Sequence, residues 1–149
     1  MTVFSNKLAA IKEYKNNIYA YAFEAVIDNE DFIVELITEE QLFEQGIRGD
    51  ETFIADYAPY SPFTVQMKQL KGQPTDRVTL KDEGDFYRSF FIKVGSDHFE
   101  VMASDSKTEK LVREYGEEIM QFTDENLSEV IWSYIYPALI FKLKEMLAR

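Results

Sequence analysis

Three carboxylates in one short stretch, Asp76, Asp82 and Asp85, are the residues whose spacing could do chemistry in this chain. With Lys81 and Arg88 nearby they could hold a divalent cation and hydrolyse a phosphate ester. Such a small carboxylate-dependent metal hydrolase needs acids converging from separate elements, usually with a histidine or lysine helper. Here the acids crowd into the turn Asp82-Glu83-Gly84-Asp85, without the alternating oxygen ligands and downstream carboxylate of a calcium loop. The favoured reading of that turn is a cap on a short element starting near Phe86. His98 is the only histidine and there is no cysteine, so neither a nucleophilic triad nor a strong metal site is indicated. His98 is expected at the surface. We expect no catalytic residue, no cofactor and no metal.

The other chemically distinctive residues are cations. Residues 61–81 carry Lys68, Lys71, Arg77 and Lys81 against Asp76 alone, inside a chain of net charge −11. Residues 24–56 instead hold eleven acids and one base, Arg48. A positive segment in a negative protein is suited to meeting an acidic partner, so the four cations are candidate interaction residues. Lys68 and Lys71 lie three apart and share a helix face, where they either offset the helix dipole or reach a partner. The overall charge disfavours non-specific binding to DNA or to anionic membranes. It also fits a further alternative, an acidic regulatory binding module.

Periodicity and capping define the elements that must position these residues. Phe4, Leu8, Ile11, Ile18, Ala22 and Ala25 recur at helical spacing and predict a helix over 5–27, ended by Asp28-Asn29. Phe32 to Ile37 reads as a short strand. Thr38-Glu39-Glu40-Gln41 fits a capping box opening a helix over 39–45 that Gly46 stops. Arg48-Gly49-Asp50 reads as a turn, and Thr52 to Tyr57 as a strand. Ser61-Pro62 starts a helix over 63–71, because serine caps free amides and proline loses nothing at the first helical position. Residues 73–77 form a loop. From Ser89 the period changes to two, and Gly95-Ser96-Asp97 separates two alternating runs, which predicts a β-hairpin over about 89–103. Ser106-Lys107-Thr108-Glu109 is a second capping box, for a helix over 107–115 that Gly116 stops.

Thr123-Asp124 caps a last helix over 125–147, and Pro137 is expected to kink it. Its apolar stripe, Leu127, Val130, Ile131, Tyr134, Ala138 and Phe141, is widened by Trp132, Ile135, Leu139 and Leu143. So broad a surface means burial on more than one side, or core plus a subunit contact. The run from 130 to 141 is shorter than a membrane span. The 149 residues, 46% apolar, predict one domain over 1–149 rather than a disordered chain. Its class is α+β: a small antiparallel sheet including the hairpin, packed against an N-terminal helix and a long C-terminal helix.

The stretch from Tyr57 to Phe90 resembles a known layout. Tyr57, Pro59, Ser61 and Pro62 precede a helix bearing Lys68. Leu80, Asp82, Gly84, Phe86 and Ser89 then form a Leu-x-Asp-x-Gly-x-Phe-x-x-Ser pattern before the hairpin. This order is similar to that of phage virion-morphogenesis proteins, the tail-completion or head–tail connector group, over roughly residues 40–105. Glu83 stands where that family usually has threonine, so Asp82 must supply the cap before Gly84. The segment from Ser104 to Gly116 replaces the family's usual Tyr-Ala…His…Gly. The resemblance implies a non-enzymatic, phage- or prophage-encoded virion component of the neck or tail end. Its partners would be further copies of itself in a ring and other phage neck or tail proteins. No membrane partner is implied, and nucleic acid would at most pass through. Such a protein resides in the virion, and in the bacterial host cytoplasm during assembly. Head-to-tail pairing of the basic segment with acids at 24–56 or 105–129 is the expected subunit contact.

Overall fold

A computed structural model describes residues 2–149. The chain opens with helix α1 (Val3–Asn16), whose Thr2 hydroxyl accepts from the Ser5 amide, and continues as α2 (Ile18–Asp28). The single helix expected over 5–27 is thus broken at Asn17, where φ is −116° and ψ 14°. The cause is local: the Asn17 side-chain amide donates to Glu13 O (2.8 Å) and competes with the helix ladder. Asn29 repeats the arrangement, with its amide on Ala25 O (2.8 Å), and separates α2 from α3 (Glu30–Glu35).

Two expectations fail next. Residues 32–37 are helical, not a strand: Ile33, Val34 and Ile37 are buried at helical spacing, and so is Leu42 beyond them. α3 runs on without interruption into a π-helical stretch, Leu36–Gln45, so the capping box at Thr38 does not form. Thr38 lies inside the helix and its hydroxyl donates to Val34 O (3.4 Å). Gln41 is fully buried and closes a polar network. Its Nε2 donates to Gln121 O (2.9 Å), and its Oε1 accepts from the Thr123 amide and the Asn126 side chain (both 2.9 Å). The Asn126 side chain also donates to Leu36 O (3.0 Å), serving a carbonyl of the wide turn. Gly46 ends this helix as expected, at φ +63°.

The turn at Arg48-Gly49-Asp50 forms, closed by a bridge between Ile47 and Phe53. Gly49 packs so closely on Gln121 that a Cβ would lie 2.5 Å from its carbonyl oxygen. The expected strand over 52–57 does not form, because Ile54–Asp56 is a 3-10 turn with Ile54 in the core. α4 (Pro62–Leu70) and α5 (Asp85–Arg88) follow, then the hairpin of β1 (Phe90–Val94) and β2 (Phe99–Ala103). The two strands pair antiparallel with Ile92 opposite Val101. α6 (Thr108–Tyr115) begins without the expected capping box. Lys107 is its N-cap and has no side-chain bond, and Asp105 accepts from the Lys107 amide instead (2.9 Å).

After a 3-10 turn, Glu117–Met120, Thr123 caps α7 (Asp124–Glu129), accepting from the Asn126 amide at 3.1 Å. The helix passes through a π-helical segment, Val130–Ile135, into α8 (Tyr136–Leu147). Pro137 therefore sits at the end of a widened turn, which gives its ring room against the carbonyl four residues back.

The α+β class holds, with the hairpin, the N-terminal helical arm and the long C-terminal helix as its parts. The core joins Val26, Ile33, Ile37, Leu42, Ile54, Val78, Phe86, Phe90, Ile92, Ile119 and Val130. α2 connects the two halves: Phe23 meets Phe99 edge-on (5.9 Å), and α2 also packs on α8. Each fully buried isoleucine or leucine contributes about 1.5–3 kcal/mol, so the 33–42 helix anchors the fold.

Candidate functional site

The segment from Tyr57 to Ser89 is held mostly by polar contacts within itself, and its side chains reach the rest of the chain at Tyr57, Arg77 and Lys81. It starts at Arg48, whose buried guanidinium lies 3.8 Å from the Tyr57 ring centre and donates to the Tyr57 hydroxyl (2.7 Å). The same guanidinium pairs with Asp50 and Glu118 and donates to Tyr115 O (2.8 Å). Arg48 thus joins the 48–52 turn, Tyr57, α6 and the turn after it. Its hydrogen bond, with one from the Thr52 hydroxyl, holds the Asp50 carboxyl down to about 2. Past Pro59, Ser61 caps α4 as expected: its hydroxyl accepts from the Thr64 amide (3.1 Å) and Pro62 takes the first turn.

The four candidate cations have mostly turned inward. Lys68 is only 8% exposed; its ammonium donates to Lys81 O (2.9 Å) and Gln73 Oε1 (3.3 Å) and lies 4.9 Å from the Tyr60 ring centre. Arg77 donates through Nε to Phe43 O (2.6 Å) and pairs with Asp76 (2.7 Å). The Lys81 ammonium sits 4.8 Å from the Phe43 ring centre and 5.4 Å from that of Tyr87. Lys71 alone is well exposed, and it pairs with Asp82 (2.7 Å), which raises its own pKa and lowers that of the carboxyl. A shared open face of Lys68 and Lys71 is therefore absent. Helical spacing gave their angular relation correctly, but the loop over 73–82 folds back over Lys68.

The acidic turn does not work as a cap either. Asp82 accepts from Lys71 and from the Gln73 side chain, rather than from the amides of α5. Gly84 enters α5 at φ +94°, and Asp85 pairs with Arg88 on the same turn. Leu80, at φ +58°, occupies a left-handed conformation unusual for a branched side chain. It is held there from both sides. The Tyr60 hydroxyl accepts from the Thr79 amide (3.0 Å), the Tyr87 hydroxyl donates to Thr79 O, and the Lys81 amide donates to Thr79 Oγ1 (3.2 Å). Burial pushes the Tyr87 hydroxyl pKa up, so it stays a donor. Phe86 is buried edge-on against Phe90 (4.9 Å), and Ser89 donates to Phe86 O (2.8 Å).

Between these residues lies a cleft of about 240 Å³ lined by Tyr60, Lys68, Lys81, Asp82, Asp85 and Lys107. Its two aspartates, Asp82 and Asp85, are each paired with a cation. Asp76, Asp82 and Asp85 close on Arg77, Lys71 and Arg88 respectively, and so do not converge on one point. No group of three His, Asp or Glu side chains among the described residues is arranged to hold a metal ion. His98 is exposed beside Asp97 at the hairpin tip. No protein family, curated protein or solved structure matches the chain.

Part of the open surface is apolar, on α1 and on the C-terminal helix, whose broad stripe left core burial and a subunit contact both open. α1 has no buried residue. Only a narrow side of it, with Lys7, Ala10 and Tyr14, is pressed on α8, where Lys7 donates to Leu147 O and Tyr14 to Leu139 O (3.2 Å). The stripe Phe4, Leu8 and Ile11 remains 76, 42 and 45% exposed. On the C-terminal helix Trp132 and Phe141 are 63 and 70% exposed. The signal available in the sequence was excess: α1 and α8 are both amphipathic, and each offers more apolar width than a helix pair can cover. No helix among the described residues is long and apolar enough to cross a membrane.

Proposed function

We propose that this protein is a non-catalytic assembly subunit, a phage neck or tail-end component that works as a homo-oligomeric ring. The observation that carries the reading is the uncovered apolar stripe of α1. Phe4, Leu8 and Ile11 are spaced to be buried on one face, yet among the described residues nothing covers them fully. A neighbouring copy supplies the missing cover, and Trp132 and Phe141 extend the apolar surface available to it. The phage setting rests on the resemblance of residues 57–90. Within that stretch the chain forms a capped α4, a loop, a turn at Gly84 and the hairpin. The subunit contact is apolar. The basic segment 61–81 serves as internal bracing, because Lys68, Arg77 and Lys81 are spent within the chain.

The test is to purify particles from a lysogen carrying the gene, with and without a deletion of it. The reading expects the chain in finished particles at a fixed copy number, and unjoined heads and tails when it is deleted. Finding it only in the soluble host fraction, with particles unaffected, overturns it.

A further inference from the structure

The hairpin has two edges, and they are treated differently. The Gly95 amide donates to His98 O (2.7 Å) and the Ser104 amide to Ser89 O (3.1 Å). Bonded pairs alternate along an antiparallel ladder, so the remaining bonded pairs are Lys93 with Glu100 and Phe91 with Met102. Phe90, Ile92 and Val94 then turn their backbone groups out on one side, and Phe99, Val101 and Ala103 on the other. The β1 edge is covered: the Ile92 amide donates to the Glu30 carboxylate (3.0 Å). The outward amides and carbonyls of β2 have no protein partner among the described residues.

Beside this free edge runs a groove of about 680 Å³, lined among others by Phe23, Phe99, Val112, Met120, Phe122 and Leu127. Thr108, whose buried hydroxyl has no hydrogen-bond partner, lines it as well. The rim is acidic, with Asp97, Glu100 and Glu117. The nearby ion pairs are Asp97 with His98 and Glu109 with Arg113; Glu100 faces Lys93 across the hairpin without closing an ion pair, and Glu117 closes none among the described residues.

We propose that the β2 edge docks an extended segment of a partner protein, apolar at alternate positions and basic between them, as a third strand of the sheet. Paired antiparallel to β2, such a segment bonds to Phe99, Val101 and Ala103 through the residues whose side chains enter the groove. The residues between them emerge on the Glu100 side, where a lysine or arginine can close on the Glu100 carboxylate from the side away from Lys93. A second copy of this chain is a poor occupant, since joining two β2 edges brings Asp97 and Glu100 of both copies together. The coil over 73–82 is not free to reach across, being pinned by Tyr60, Lys68 and Arg77. This site is separate from the α1 contact and survives the failure of the ring reading.

Three synthetic peptides test it against the intact protein: alternating Lys-Val; the same peptide N-methylated at every valine; and alternating Glu-Val. Amide NMR of the protein should show saturable shifts centred on Phe99, Val101 and Ala103 with the first peptide. Affinity should fall at least about tenfold with each of the other two, from lost strand bonds and from charge repulsion respectively. Val101→Pro removes an outward amide and no hairpin bond, a position where an edge strand tolerates proline, and should abolish the shifts. Should that variant fail to fold, Glu100→Lys with Glu117→Lys, both on exposed residues, should reverse the preference between the lysine and glutamate peptides. Equal binding of the N-methylated peptide, shifts centred away from β2, no saturation with the first peptide, or self-association through β2 overturns the proposal.

Discussion

Replacing Lys68 by methionine separates internal bracing from partner contact. Methionine keeps the apolar stem of the side chain and removes only the ammonium. Lost with it are the charge-assisted bond to Lys81 O (2.9 Å), the longer one to Gln73, and the approach to the Tyr60 ring. A bond from a charged donor contributes about 1.5–3 kcal/mol and the ring contact about 0.5–1 kcal/mol. The ammonium no longer has to be desolvated, which offsets part of this. The net expectation is a loss of about 2 kcal/mol. At about 2–4 °C per kcal/mol for a chain of this size, the melting temperature falls by about 4–8 °C. The assay is urea unfolding followed by tryptophan fluorescence, with sedimentation velocity on the same samples. Lys71→Met is the control: its ammonium is exposed and pairs with an exposed carboxylate, so it should hardly move the transition. The reasoning is refuted if Lys68→Met unfolds within about 0.5 kcal/mol of the parent, the scale of an ordinary surface substitution. It is refuted more sharply if that variant also changes the sedimentation coefficient.

Arg48→Met should cost about 3 kcal/mol in the same assay. It removes the charge that joins Asp50, Glu118, Tyr57 and Tyr115 O, while the half-exposed carboxylates recover some hydration. Acid should find the same site. The Asp50 carboxyl is depressed from its ordinary 3.8 to about 2, so its contribution is complete above pH about 4 and is lost as pH falls toward about 2. Urea midpoints measured from pH 5 to pH 2 should therefore fall less steeply for Asp50→Asn than for the parent. Ser61→Ala removes the acceptor for the Thr64 amide and should cost about 1 kcal/mol, read as a lower urea midpoint at unchanged slope.

What could be read from the sequence was whatever depends on near neighbours. The hairpin follows from strict alternation around Gly95. The starts at Ser61-Pro62 and Thr123, and the stops at Gly46 and Gly116, follow from capping chemistry. Elements whose identity depends on distant packing were misread. Residues 32–37 are rich in branched apolar side chains that suit a strand, yet Ile33 and Ile37, four apart, enter the same core as Phe90 and Ile92, which helical spacing allows. The π-helical turns and the Asn17 break have no signature comparable to glycine or proline. At the candidate site, charge counting located the basic segment but not the carbonyls at Lys81 and Phe43 that absorb it. Nor does alternation in β2 say which edge a helix will cover.

The central claim is that the α1 stripe is a subunit contact, and light scattering coupled to size exclusion tests it most directly. The parent protein should elute as an oligomer several times the chain mass of 17.4 kDa, with the proportion rising with concentration. The double variant Phe4→Ser with Leu8→Ser should elute as a monomer whose urea midpoint no longer depends on concentration and lies near that of the dilute parent, because both side chains are largely exposed in the isolated chain. A parent protein that stays monomeric at every concentration, or a variant that assembles as the parent does, contradicts the account.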